Sequence, residues 1–245
     1  MACFEGSLFS RSLEMMTSVR VLLPERAEKT PVPVVYLLHG ISDDSSCWLR
    51  RTCIDRFAEA AGMAVVMPEV QRSYYCNLQY GPAYFTYVSQ ELPELCRRMF
   101  RVSDRREDTF IAGLSMGGYG AMKTAMTYPE QYAAAASFSG AFDLAVWFER
   151  PEFYALSCGQ LRPQDDVFQI VEDRVREGRK LPQIYMSCGE SDTWLDSNRR
   201  LDAHLTRLGV SHTLETWPGG HSWAFWNTSI QKALNIFTGV ERPIE

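Results

Sequence analysis

A serine, a histidine and a carboxylate far apart in this 245-residue chain are of the types needed for nucleophilic catalysis, and the serine is the easiest to find. Gly113-Leu114-Ser115-Met116-Gly117 sets a glycine two residues to either side of it. A serine on a sharp strand-to-helix turn exposes its hydroxyl, and the glycines remove side chains that would collide there. A hydroxyl is a poor nucleophile at neutral pH, so it needs a general base within hydrogen-bond reach and a carboxylate to orient that base. Only four histidines are present. His39 precedes the serine, His204 lies in a helical stretch and His212 in a strand. His221 follows Pro218-Gly219-Gly220 on a loosened loop after the last strand and is the candidate base, with a capping role before the final helix as its alternative. Asp192, in Gly189-Glu190-Ser191-Asp192 just past a strand, is the candidate acid, with Glu190 and Asp196 as competitors.

The negative charge formed when a hydroxyl attacks a carbonyl requires two donors. The backbone N–H of Met116, directly after the serine, is one. The other is expected from the loop after the strand ending at residue 38, with Ile41 the first candidate and Ser42 the second. Trp48, Tyr80, Trp194 and Trp223 are candidate pocket walls, each with plain packing as its alternative.

Strands are expected over residues 17–24, 31–38, 64–68, 109–114, 132–138, 183–188 and 212–217, from short apolar or alternating runs bounded by turn residues. Helices are expected over 51–61, 90–100 and 165–180, directly after Ser115, along Leu201, Leu205 and Leu208, and along Trp223, Trp226, Ile230, Leu234 and Phe237. Strands alternating with helices predict an α/β fold with a mainly parallel sheet and a ligand site at the strands' carboxyl ends. Residues 71–87 form an aromatic loop, and 141–181 an excursion from the sheet that suits a partial lid. No repeat or linker divides residues 1–245, so one domain is expected.

Composition excludes other classes. A net charge of −5 offers no basic surface for nucleic acid. No run of eighteen apolar residues and no basic, apolar leader is present, so a soluble cytoplasmic protein with no membrane segment is expected. Seven cysteines without C-x-x-C spacing suggest neither zinc nor a disulfide framework. Asp43 and Asp44 beside His39 are too few for a metal site, and no phosphate loop exists, so neither metal nor cofactor is expected. The oligomeric state is left open.

Taken together, Tyr36-Leu-Leu-His-Gly40, the aromatic segment leading to Glu91-Leu-Pro93, Ile111-Ala-Gly-Leu-Ser-Met-Gly-Gly-Tyr-Gly120, Cys188-Gly-Glu-Ser-Asp192 and Gly219-Gly-His-Ser-Trp-Ala-Phe-Trp226 resemble the esterase D-like putative esterases. The chain looks most like their tributyrin esterase branch, which is related to S-formylglutathione hydrolases, some feruloyl esterases and mycolyl transferases. The resemblance implies an α/β-hydrolase fold with helices on both faces of the sheet, and a serine carboxylesterase acting on short acyl esters. It also implies Ser115 as nucleophile, Asp192 as acid, His221 as base, and Ile41 and Met116 as oxyanion donors. S-formylglutathione hydrolases usually carry histidines around the serine where this chain has Leu114 and Tyr119, which argues against the glutathione thioester.

Overall fold

The central strands are buried along their whole length because both faces are covered. In β3 (Val34–Leu38) the side chains of Val34, Tyr36 and Leu38 enter one core, while Val35 and Leu37 enter the other. That double burial turns the usual in-and-out alternation into a continuous apolar run. The same holds for β4 (Ala64–Pro68), β5 (Thr109–Leu114) and β6 (Ala134–Phe138), every residue of which is buried. This computed structural model describes residues 1–25, 30–149, 151–154 and 158–243.

Eight strands form one sheet in the order β1-β2-β4-β3-β5-β6-β7-β8, where β1 is Ala2–Ser10, β2 Met15–Leu23, β7 Gln183–Gly189 and β8 His212–Trp217. The first two strands pair antiparallel, β2 pairs antiparallel with β4, and all the remaining pairs are parallel. The carboxyl ends of β3, β5, β6, β7 and β8 therefore share one rim.

Two helical layers cover the sheet. Helices α1 (Cys47–Arg51) and α2 (Ile54–Ala61) lie on one face. On the other are α3 (Leu92–Phe100), which continues a π turn over Tyr87–Glu91, and α4 (Met116–Thr127). Beyond α5 (Leu144–Phe148), helices α6 (Val167–Arg176) and α7 (Leu195–Arg207) join that second layer. Helix α8 (Trp223–Thr238) returns to the first, where Phe237 stacks on Phe110 with ring centroids 4.8 Å apart.

Several expected elements differ in extent. The helix expected over 51–61 is broken at Thr52 and Cys53, because the Cys53 N–H turns to Asn227 Oδ1 at 2.9 Å. Strand β1 was not expected at all. It is an edge strand, exposed over most of its length, so it carries little of the burial pattern that marks a strand. The helix expected over 165–180 begins at Val167, where the Asp166 carboxylate accepts the Phe168 N–H at 3.0 Å. Within the expected lid region, residues 150 and 155–157 lie outside the described residues. Its described parts include the buried rings of Phe148 and Phe153, which pack edge-on against Tyr74.

Candidate active site

The turn from β5 into α4 is tight for a steric reason. A Cβ on Gly113 would collide with the carbonyl of Gly117, and one on Gly117 would collide with the carbonyls of Leu38 and His39. The two glycines let the start of α4 press against β5 and the end of β3 at once. Ser115, between them, has φ 53° and ψ −118°, in the region that side chains rarely adopt. Three hydrogen bonds hold it there. Its N–H donates to Phe138 O at 2.8 Å, and its carbonyl accepts the N–H groups of Tyr119 and Ala141 at 3.1 and 3.2 Å.

The acid and base loops are laced together in the same way. Glu190 N–H donates to Trp217 O at 3.1 Å and Ser191 N–H to Gly219 O at 2.9 Å, joining the turns after β7 and β8. His221 leaves that second turn with its Nε2 3.1 Å from Ser115 Oγ. Its Nδ1 lies 2.9 Å from Asp192 Oδ2 and 3.1 Å from Oδ1. An ionised carboxylate can only accept, so Nδ1 carries the proton and Nε2 is left free to accept one from the serine. Asp192 is 6 % exposed. Burial disfavours its charge, but hydrogen bonds from His221, the Trp194 N–H and Ser139 outweigh that and hold its carboxyl below the usual range. Its two competitors stay outside the site: Glu190 is exposed, and Asp196 faces solvent beside Arg199.

The other histidines are engaged elsewhere. His204 Nε2 lies 3.1 Å from Phe168 O, and His212 Nε2 3.0 Å from Asp202 Oδ1. His39 is buried, with Nδ1 2.7 Å from Gly40 O and Nε2 accepting the Val70 N–H at 3.2 Å, while its carbonyl accepts the Tyr75 hydroxyl at 2.9 Å. It therefore tethers the loop that carries Ile41. Asp43 and Asp44 fold back on the same loop, accepting from the Gly40 and Ser46 N–H groups. Among the described residues, the N–H groups of Ile41 and Met116 have no backbone acceptor, which leaves both free to donate at the rim.

The four expected pocket walls divide. Trp48 is a correction: it is fully buried, donates its Nε1–H to Leu38 O at 3.1 Å and packs edge-on against Phe138 and Trp223. With no accessible surface it walls nothing and instead backs the loop. Tyr80 is also corrected, since its ring is 82 % exposed and offers no enclosing surface. Trp194 and Trp223 are partly buried and flank Asp192 and His221 along the chain. Ser139, Trp226 and the buried pair Lys123 and Asp165 were given no site role by their sequence pattern. Two signals were available: a serine before Gly140 and a lysine among the apolar residues of α4.

The family profile described as Putative esterase matches residues 10–237. The chain belongs to this esterase family. The esterase is 28% identical to an acetyl esterase of Caldicellulosiruptor saccharolyticus, over 98% of its own length and 99% of the relative's. Among solved structures it is similar to FphF, a fluorophosphonate-binding serine hydrolase of Staphylococcus aureus in a substrate-bound form, with a TM-score of 0.91 and 30% identity over 97% of this chain and 98% of that one. It is also similar to the S-formylglutathione hydrolase FrmB of Staphylococcus aureus, with a TM-score of 0.89 and 29% identity over the same shares. The fold is that of the α/β-hydrolases and the enzyme is a carboxylic ester hydrolase. No described helix is long and apolar enough to cross a membrane.

Proposed function

We propose that the esterase cleaves short-chain acyl esters, acetyl and butyryl groups including those on sugars, through an acyl-enzyme on Ser115. The observation that carries this is the unbroken file from Ser115 Oγ to His221 at 3.1 Å and from His221 to Asp192 at 2.9 Å. Ser115 attacks the ester carbonyl as His221 Nε2 takes its proton, and Asp192 holds the imidazole's tautomer and stabilises its charged form. The oxyanion is met by the N–H groups of Met116 and Ile41, each lowering the barrier by roughly 3 to 4 kcal/mol. His221 then returns the proton to the leaving alcohol, water enters by the reverse path, and the carboxylic acid departs. Trp194 and Trp223 border the acyl group; α6 belongs to the second helical layer, so any partial lid is confined to the described residues of the excursion ahead of it. A reducing, cytoplasmic setting fits seven cysteines that are all unpaired.

A second reading is a thioesterase using the same residues, favoured by the similarity to FrmB. Hydrolysis of p-nitrophenyl acetate and butyrate, acetylated sugars, feruloyl esters and S-formylglutathione by wild type and Ser115→Ala tests both. A marked preference for the thioester would replace the first reading with the second, and equal turnover by Ser115→Ala would remove both.

A further inference from the structure

Just past the end of β6, behind Asp192, the fully buried Ser139 has φ 52°. Glycine is the ordinary occupant of that left-handed conformation. The chain nevertheless keeps a hydroxyl here and places its glycine one residue later, at Gly140. Trp226 Nε1 donates to Ser139 Oγ at 3.1 Å. An indole N–H can only donate, so the serine oxygen accepts there and its single proton must be given elsewhere. Ser139 N–H donates to Ser187 O at 2.7 Å, which lays the turn after β6 against the end of β7 and turns the hydroxyl toward the Asp192 carboxylate and the Cys188 thiol, of which the carboxylate is much the stronger acceptor. The same indole also meets the His221 ring at 4.8 Å between centroids with the planes at 89°. Trp226 is itself wedged by Trp223, at 5.3 Å and 86°, which rests in turn on Trp48.

We propose that Ser139 and Trp226 are positioning residues for the reaction, arranged in series: the indole N–H fixes the serine rotor, the serine proton orients the Asp192 carboxylate, and the indole ring sets the plane of His221. The inference rests on the catalytic reading above. Hydrogen bonds in such a chain strengthen one another, and the backbone strain at Ser139 is retained because the hydroxyl is needed. Beyond Ser139, the titratable groups facing Asp192 are His221 from the last loop and Cys188 from β7.

Ser139→Ala is expected to lower kcat roughly tenfold with KM little changed. The acid limb of the kcat/KM profile should move upward by about half a pH unit, because a carboxylate that loses a donor binds protons, its own or the imidazole's, more tightly. Ser139→Gly should do the same without loss of melting temperature, and it serves if the alanine variant folds poorly. Trp226→Phe, which keeps a ring against His221, should give a smaller shift in the same direction. The double variant Ser139→Ala with Trp226→Phe should be no slower than Ser139→Ala within about twofold, since links in series are not lost twice. An unmoved acid limb in both serine variants, or fully additive losses, overturns the proposal and leaves a packing role. Ser115→Ala run alongside separates the two readings. Turnover surviving in it sinks the catalytic assignment itself, whereas a dead Ser115→Ala with an unaltered Ser139→Ala sinks this inference alone.

Discussion

Two buried carboxylates lie near helix α4 and do opposite things. Near its amino end, Asp192 is hydrogen-bonded to His221, a partner 32 % exposed that stands beside Ser115. Two turns along, Asp165 meets Lys123 Nζ at 2.5 Å and Arg162 Nε at 2.5 Å, with both members of the lysine pair almost wholly buried. Lys123 also donates to Tyr75 O at 2.9 Å and lies 4.3 Å over the Phe85 ring. Burial opposes the charge of Asp165, and Lys123 followed by Arg162 overcomes it, so that carboxyl too sits below the usual range. The difference lies in the partner. A lysine and an arginine turn a buried carboxylate into a rivet between the aromatic loop, α4 and the excursion, whereas on the proposed mechanism an imidazole turns one into a tool.

Four changes would break or sharpen that contrast. The largest effect belongs to Asp192→Asn, which should cost about 10⁴-fold in kcat by favouring the wrong imidazole tautomer while leaving the melting temperature nearly unchanged. Lys123→Met should do the reverse. It strands part of a buried charge and should destabilise by about 3 kcal/mol, read as a drop of roughly 6 to 12 °C in melting temperature, with kcat per folded molecule largely kept. Acid separates the two sites further. Because both carboxyls are depressed, each contributes stability that is fully present above the unfolded carboxylate pKa, about 3.9, and is lost as pH falls through the folded value. The double variant Lys123→Met with Asp165→Leu should therefore lose less of its urea midpoint between pH 7 and pH 3 than wild type does. The smallest effect is expected at Ile41→Val. Its donor is a backbone N–H that survives the change, so kcat should fall by less than about threefold; a fall near that of Asp192→Asn would mean the loop donor is misassigned.

What could be read beforehand follows the same division. Ser115, Asp192 and His221 were legible because each stands where a strand pattern stops and a turn pattern begins, and because only four histidines had to be sorted. The central strands were legible for the same reason, being apolar runs cut off by turn residues. Strand β1 was not, since most of its residues are exposed and only pairing with β2 defines it. The break before α2 depends on Asn227, 174 residues away, which no local pattern contains. Trp48 was misjudged because an indole near a catalytic loop looks the same in sequence whether it lines a cleft or props one from behind. The link between Trp226 and Ser139 spans 87 residues, and only the packed molecule brings it together.

The base arrives late. On the proposed mechanism the nucleophile Ser115 and the acid Asp192 have both been made once the chain has passed β7 and its turn, but His221 and the indole behind it follow β8. A polypeptide still growing through residue 217 thus holds a hydroxyl with nothing to deprotonate it. On the proposed mechanism, a product cut short before His221 would keep its serine and lack the imidazole that activates it.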